Sequence, residues 1–169
     1  NWVRDAGLHA ADAVVALSPS TDSTASSPSI KSNFETDTML KPLIGPLLKI
    51  PRPVLLWGSW RANKISPASK LVSPLRDNLS NLPPTLVQVS AAEMLYDDAR
   101  RYVAKAQSEG SNVTLQSWAH VCHVWQAFDL LIPEAMDAFD EIAKFLIQHG
   151  VGKKPKAAKK KAKARVKEA

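Results

Sequence analysis

Residues 83–125 read PPTLVQVSAAEMLYDDARRYVAKAQSEGSNVTLQSWAHVCHVW, and their periodicities decide the fold. Pro83 and Pro84 cannot continue a helix, and they stand before Thr85–Ser90, an apolar run with the composition and length of a strand. Residues 96–109 then place Ala99, Tyr102, Val103 and Ala106 on one side of a helix, closed by Gly110 just past its end. Val113–Gln116 begins a second β run leading to Trp118. Strand, helix and strand in this order predict a crossover unit with two parallel strands.

The same reading extends outward. Ala13–Leu17 is a continuous apolar run stopped by Ser18 and Pro19, which predicts another strand, buried on both faces. Residues 18–37 are rich in Ser, Thr, Asp and Pro and predict a loop. Residues 39–60 are apolar but interrupted by Pro42, Gly45, Pro46, Pro51, Pro53 and Gly58, so short helices and turns fit them better than one long helix. Trp2–His9 reads as a helix end with Gly7 near its last turn. Pro133 suits the first turn of a final helix whose stripe would be Ala135, Phe139, Ile142, Ala143 and Leu146. The sum is an α/β class: a parallel sheet of about three strands flanked by helices.

With 169 residues and 45% hydrophobic content, the chain suits one globular domain, expected over 1–150, followed by a Lys/Ala-rich basic tail over 151–169, expected to be disordered. No apolar run approaches the roughly 20 residues needed to cross a bilayer. The first residues do not resemble a signal peptide, and a cytoplasmic location is the expectation. The single cysteine, Cys122, excludes an intramolecular disulfide and a multi-cysteine zinc site. Net charge is +6, but residues 153–169 hold nine Lys/Arg against Glu168, a local +8 that leaves −2 on the rest.

In an open parallel sheet, chemistry collects beyond the carboxyl ends of the strands. Glu93 lies three residues after the second predicted strand, and His123 lies in the loop after the third. A carboxylate on one imidazole nitrogen fixes the tautomer that lets the other nitrogen take a proton. The competing readings are a solvated loop acid and an ordinary half-buried histidine. Asp97 is the second candidate acid, although it opens a helix, where a carboxylate is favoured by the helix dipole alone. Cys122 is adjacent to His123, and neighbouring side chains do not naturally face one another, so a thiol nucleophile is not expected. His120 and His123 lack a third ligand at metal-binding spacing, and neither a metal nor another cofactor is expected.

The segment from Ser73 through Phe128, together with ALSPSTDSTASSPS at 16–29 and NFETDTML at 33–40, resembles the closing half of the hormone-sensitive-lipase family of α/β-hydrolases. That family consists mainly of carboxylesterases and lipases. The resemblance implies a partial α/β-hydrolase fold over most of residues 1–150. It gives the acid role to Glu93 in the D/E-x-x-x-D-D pattern Glu93–Asp98, and the base role to His123 in the W-x-x-x-x-H-V-W/F pattern Trp118–Trp125. Aspartate is the more usual acid. It further implies a small apolar ester as substrate of the parent enzyme, and it places residues 39–60 where the family borders its acyl pocket and cap.

The sequence departs from the family by lacking G-x-S-x-G and the HGGG-type oxyanion loop; Gly58-Ser59-Trp60-Arg61-Ala62 does not have the required glycines. The family order of serine, acid and histidine places the nucleophile ahead of residue 1. The isolated chain is therefore expected to be inactive. The alternative reading is a catalytically inactive hydrolase remnant whose residues 153–169 contact nucleic acid or another polyanion.

Overall fold

The structure, a computed structural model, describes residues 2–152; of the predicted basic tail, 151–169, residues 153–169 lie outside them. Strands β1 (Val14–Leu17), β2 (Thr85–Ser90) and β3 (Val113–Trp118) form an all-parallel sheet in the order β1-β2-β3. The helices are α1 (Trp2–Asp5), α2 (Ser29–Ser32), α3 (Leu40–Leu48), α4 (Arg52–Asn63), α5 (Tyr96–Ser108) and α6 (Pro133–Gln148). Short 3-10 turns occupy Pro74–Arg76 and Trp125–Phe128.

β2 is the central strand, and all six of its residues are buried, Leu86, Val87 and Val89 among them. On one face Val87 and Val89 pack with Val113, Leu79 and the α5 residues Ala99, Val103 and Ala106. Each such valine or leucine contributes roughly 1.5–3 kcal/mol by leaving water. A second cluster joins Val121, Trp125, Ala135 and Ala138. The one polar side chain buried in mid-strand, Gln88, is satisfied: its Nε2 donates to Gln116 Oε1 (2.9 Å) and to the Ala138 carbonyl (3.0 Å), and its Oε1 accepts from Gln126 Nε2 (2.9 Å).

Two expectations are corrected. β1 is half-buried throughout rather than buried on both faces, because among the described residues it pairs on one side only. In α6 the buried residues are Ala135, Ala138 and Phe145, while Phe139 (42% exposed) and Ala143 face outward. Ala138 is buried because its small side chain lets the α6 backbone reach Gln88.

Residues 18–37 form the expected loop, with one helical turn, but the loop is deeply packed. Asp98, 1% exposed, accepts the amides of Thr21 (2.8 Å) and Asp22 (3.0 Å) and a hydrogen bond from Ser27 Oγ. Asp22 accepts from Thr24 and Ser26 and lies 3.4 Å from both Arg76 and Arg101. Farther along, the prolines break residues 39–60 into α3 and α4, and α4 buries none of its residues, leaving Val54, Trp57 and Trp60 exposed. Among the described residues no helix is long and apolar enough to cross a membrane.

Candidate active site

The parallel register pairs Leu17 with Gln88 and Ser90 with Trp118, so all three strands end at one edge of the sheet. Glu93 sits in the turn between β2 and α5. Its surroundings hold that turn at nearly every polar backbone atom: Asn33 Nδ2 donates to the carbonyls of Ala91 (2.8 Å) and Glu93 (3.0 Å), Thr36 Oγ1 donates to the Ala92 carbonyl (2.8 Å), and Asp37 Oδ2 accepts the Met94 amide (2.8 Å). Glu93 is therefore turned inward and is 1% exposed. Its Oε1 accepts the Ser90 amide at 3.2 Å, and its Oε2 lies 2.8 Å from His123 Nδ1.

His123 lies in the loop between β3 and the Trp125–Phe128 turn. The flanking rings of Trp118 and Trp125 meet with centroids 5.7 Å apart, and Trp125 is fully buried with its Nε1 donating to the Glu134 carbonyl (3.2 Å). Within the loop, Val121 is buried in the cluster with Trp125. The imidazole itself remains 19% exposed. An ionised carboxylate only accepts hydrogen bonds, so the Glu93 contact puts the proton on Nδ1 and leaves the lone pair on Nε2. Nε2 makes no hydrogen bond among the described residues. A histidine so held has a free basic nitrogen at a fixed orientation.

The other candidates lie elsewhere. Asp97 opens α5, accepts the Ser29 amide (2.9 Å) through Oδ2 and binds Arg100 (2.9 Å) through Oδ1, so its carboxylate is engaged in tying α2 to α5. His120 is exposed. Cys122 is half-buried; burial pushes its thiol pKa up, and the Asp37 and Glu93 carboxylates push in the same direction, which opposes a thiolate. Among the described residues no group of three His, Cys, Asp or Glu side chains is arranged to hold a metal ion. A groove of about 600 Å3 runs between the 25–34 segment and α3–α4, bordered by Ile30, Phe34, Leu48 and Leu55, but neither Glu93 nor His123 lines it.

The sequence singles out Glu93 and His123, which the structure brings into contact, but not what holds them. Ser90 is the exception that carried a signal: Ser90-x-x-Glu93 has the spacing of a reciprocal side-chain and backbone box. Asn33 and Asp37 reach the Glu93 turn from about sixty positions away, and no local pattern marks such contacts.

Comparison with known proteins bears on the fold. A family model described as alpha/beta hydrolase fold matches residues 1–127. An esterase of Acinetobacter venetianus is 33% identical over 132 residues, covering 78% of this chain and 41% of that enzyme. An acetyl-hydrolase of Streptomyces hygroscopicus is 38% identical over 80 residues, covering 47% of this chain and 27% of its own length. The crystal structure of an esterase from the bacterial hormone-sensitive lipase family superposes with a TM-score of 0.73 at 31% identity, over 88% of this chain and 47% of that one. The chain thus spans less than half the length of these relatives. With its parallel sheet and its strand-end sequence patterns, the chain belongs to the alpha/beta hydrolase fold family and, within it, groups with the hormone-sensitive-lipase esterases.

Proposed function

We propose that Glu93 and His123 are the acid and the general base of a serine-dependent carboxylic ester hydrolase, whose nucleophile is contributed by sequence outside these 169 residues. The observation that carries this reading is the buried Glu93 Oε2–His123 Nδ1 contact of 2.8 Å at the carboxyl edge of the sheet, with Nε2 left free. In the reaction, Nε2 takes the proton of the serine hydroxyl as it attacks the ester carbonyl. The imidazolium so formed is stabilised by the Glu93 carboxylate and then returns the proton to the leaving alcohol. The chain's likeness to esterases favours an ester substrate, and we read a small apolar ester as the substrate of the whole enzyme. No cofactor enters this scheme.

The test has two arms. The reading frame ahead of residue 1 should encode an in-frame G-x-S-x-G, and a polypeptide containing both parts should hydrolyse p-nitrophenyl butyrate with kcat falling about 10³-fold or more in His123→Ala. A frame without that motif, or turnover indifferent to His123, overturns the reading. The 169-residue chain alone should be inert toward the same ester.

A second proposal rests on a separate observation, the local charge of +8 over residues 153–169. We propose that this tract gives weak, sequence-independent contact with polyanions, nucleic acid among them, through lysine–phosphate pairing. Retention on duplex DNA at low salt should disappear on deletion of 153–169; equal retention after deletion refutes it.

A further inference from the structure

The loop that carries His123 has few ties of its own. Among the described residues, positions 119–123 make no backbone–backbone hydrogen bond. Moreover, Val124, immediately after His123, has φ +50, and His120, on the other side, has φ +60. A β-branched residue in the left-handed region is unfavourable and stays there only when its surroundings impose it. Such a loop needs outside anchors if the imidazole is to hold one orientation.

Two serines supply them. Ser90, the last residue of β2, is fully buried and its Oγ donates to the Val121 carbonyl at 2.5 Å. Ser18, the residue after β1, is 4% exposed and its Oγ accepts the Val124 amide at 3.2 Å. The anchored positions, 121 and 124, bracket His123. Ser90 also reaches the other member of the pair, since its amide donates to Glu93 Oε1 (3.2 Å) and its Oγ accepts the Ala92 amide (3.1 Å). The Glu93 turn and the His123 loop are thus joined by two parallel links, Ser90 Oγ to Val121 and Glu93 Oε2 to His123 Nδ1.

We propose that Ser90 and Ser18 are positioning residues for His123: they hold the base loop against the ends of β2 and β1 so that the imidazole meets Glu93 through Nδ1 and presents Nε2 outward. This rests on the reading of Glu93 and His123 as acid and base. Neither serine touches the reacting atoms; the hydroxyl of each substitutes for the backbone bonds that the loop lacks. Ser90 bears more of this function, because it acts on both members of the pair, whereas Ser18 acts on one.

The test is NMR on the ¹⁵N-labelled 169-residue chain, reading the His123 tautomer and the exchange of its Nδ1 proton with water. The wild type should show a slowly exchanging Nδ1 proton. Ser90→Ala should speed its exchange roughly tenfold, as expected for losing one buried hydrogen bond, with Ser18→Ala giving a smaller increase. Ser90→Thr should restore slow exchange. Ser73→Ala removes a fully buried hydroxyl bonded to the Pro67 carbonyl, away from the site, and should leave the His123 proton unchanged. If Ser90→Ala fails to fold, Ser18→Ala and Ser90→Thr decide alone: faster exchange in the first and wild-type exchange in the second support the proposal. Wild-type exchange in Ser18→Ala and Ser90→Ala, or equal acceleration in Ser73→Ala, overturns it while leaving the acid–base reading intact. An Nδ1 without a proton in the wild type overturns both.

Discussion

Asp22 makes the packed 18–37 loop acid-labile, and its environment gives the size of the effect. Burial alone would raise its pKa, but hydrogen bonds from Ser26, from the Thr24 hydroxyl and amide, and the charge of Arg76 outweigh burial and bring it from the ordinary 3.8 down to about 2. The carboxylate is therefore bound more tightly in the folded than in the unfolded chain. Its contribution is fully present above the unfolded value of 3.8 and is lost as pH falls through about 2. The gap between those values is worth about 2 kcal/mol. With a urea dependence of roughly 1–3 kcal/mol per molar, that corresponds to a loss of about 1–2 M in midpoint between pH 6 and pH 2. Urea unfolding followed by circular dichroism should show this loss in the wild type beyond whatever remains in Asp22→Asn, whose side chain cannot titrate. An equal loss in both proteins would refute the assignment. The effect bears on the site, because the same loop sends Asn33 and Asp37 onto the Glu93 turn.

Two further outcomes test the packing. Lys64 ends α4 in the left-handed conformation at φ +57 and is exposed, so Lys64→Gly should stabilise the chain by about 0.5–1 kcal/mol in the same urea assay; a loss would contradict the assigned helix end. Trp125 is fully buried between the His123 loop and α6, and Trp125→Ala should cost about 3–5 kcal/mol, measured as the shift in unfolding free energy; a cost below ~1 kcal/mol would contradict the packing around the loop.

What the sequence showed was what is local. β2, α5 and β3 were readable because their periodicities are contained within each element, Pro84 stands just before β2 and Gly110 just beyond α5, and the observed bounds match closely. Glu93 and His123 were readable because parallel topology brings successive strand ends together. The buried stripe of α6 was misjudged by weighing apolar size: Phe139 looked like a core residue, whereas Ala138 is buried because its smallness admits the backbone to Gln88. The burial of the 18–37 loop was invisible for a different reason. Its polar residues are satisfied by Arg76, Asp98 and Arg101, which lie between 52 and 79 positions away. Composition alone cannot distinguish a serine-rich loop in water from one folded onto such partners. Ser18 was missed similarly, since it reaches Val124 across 106 positions.

The central claim is that Glu93, and not the nearby Asp97, orients His123. Its most direct test is to compare kcat/KM for p-nitrophenyl butyrate in a polypeptide that carries these residues together with its nucleophile, across the wild type, Glu93→Gln and Asp97→Asn. In Glu93→Gln the amide that faces Nδ1 can donate, which favours the wrong imidazole tautomer, and kcat should fall by about 10³–10⁴-fold. Asp97→Asn should lower stability by loosening the Ser29 and Arg100 contacts while changing kcat less than about tenfold. The reverse order, with Asp97→Asn the more damaging to kcat, would contradict the account.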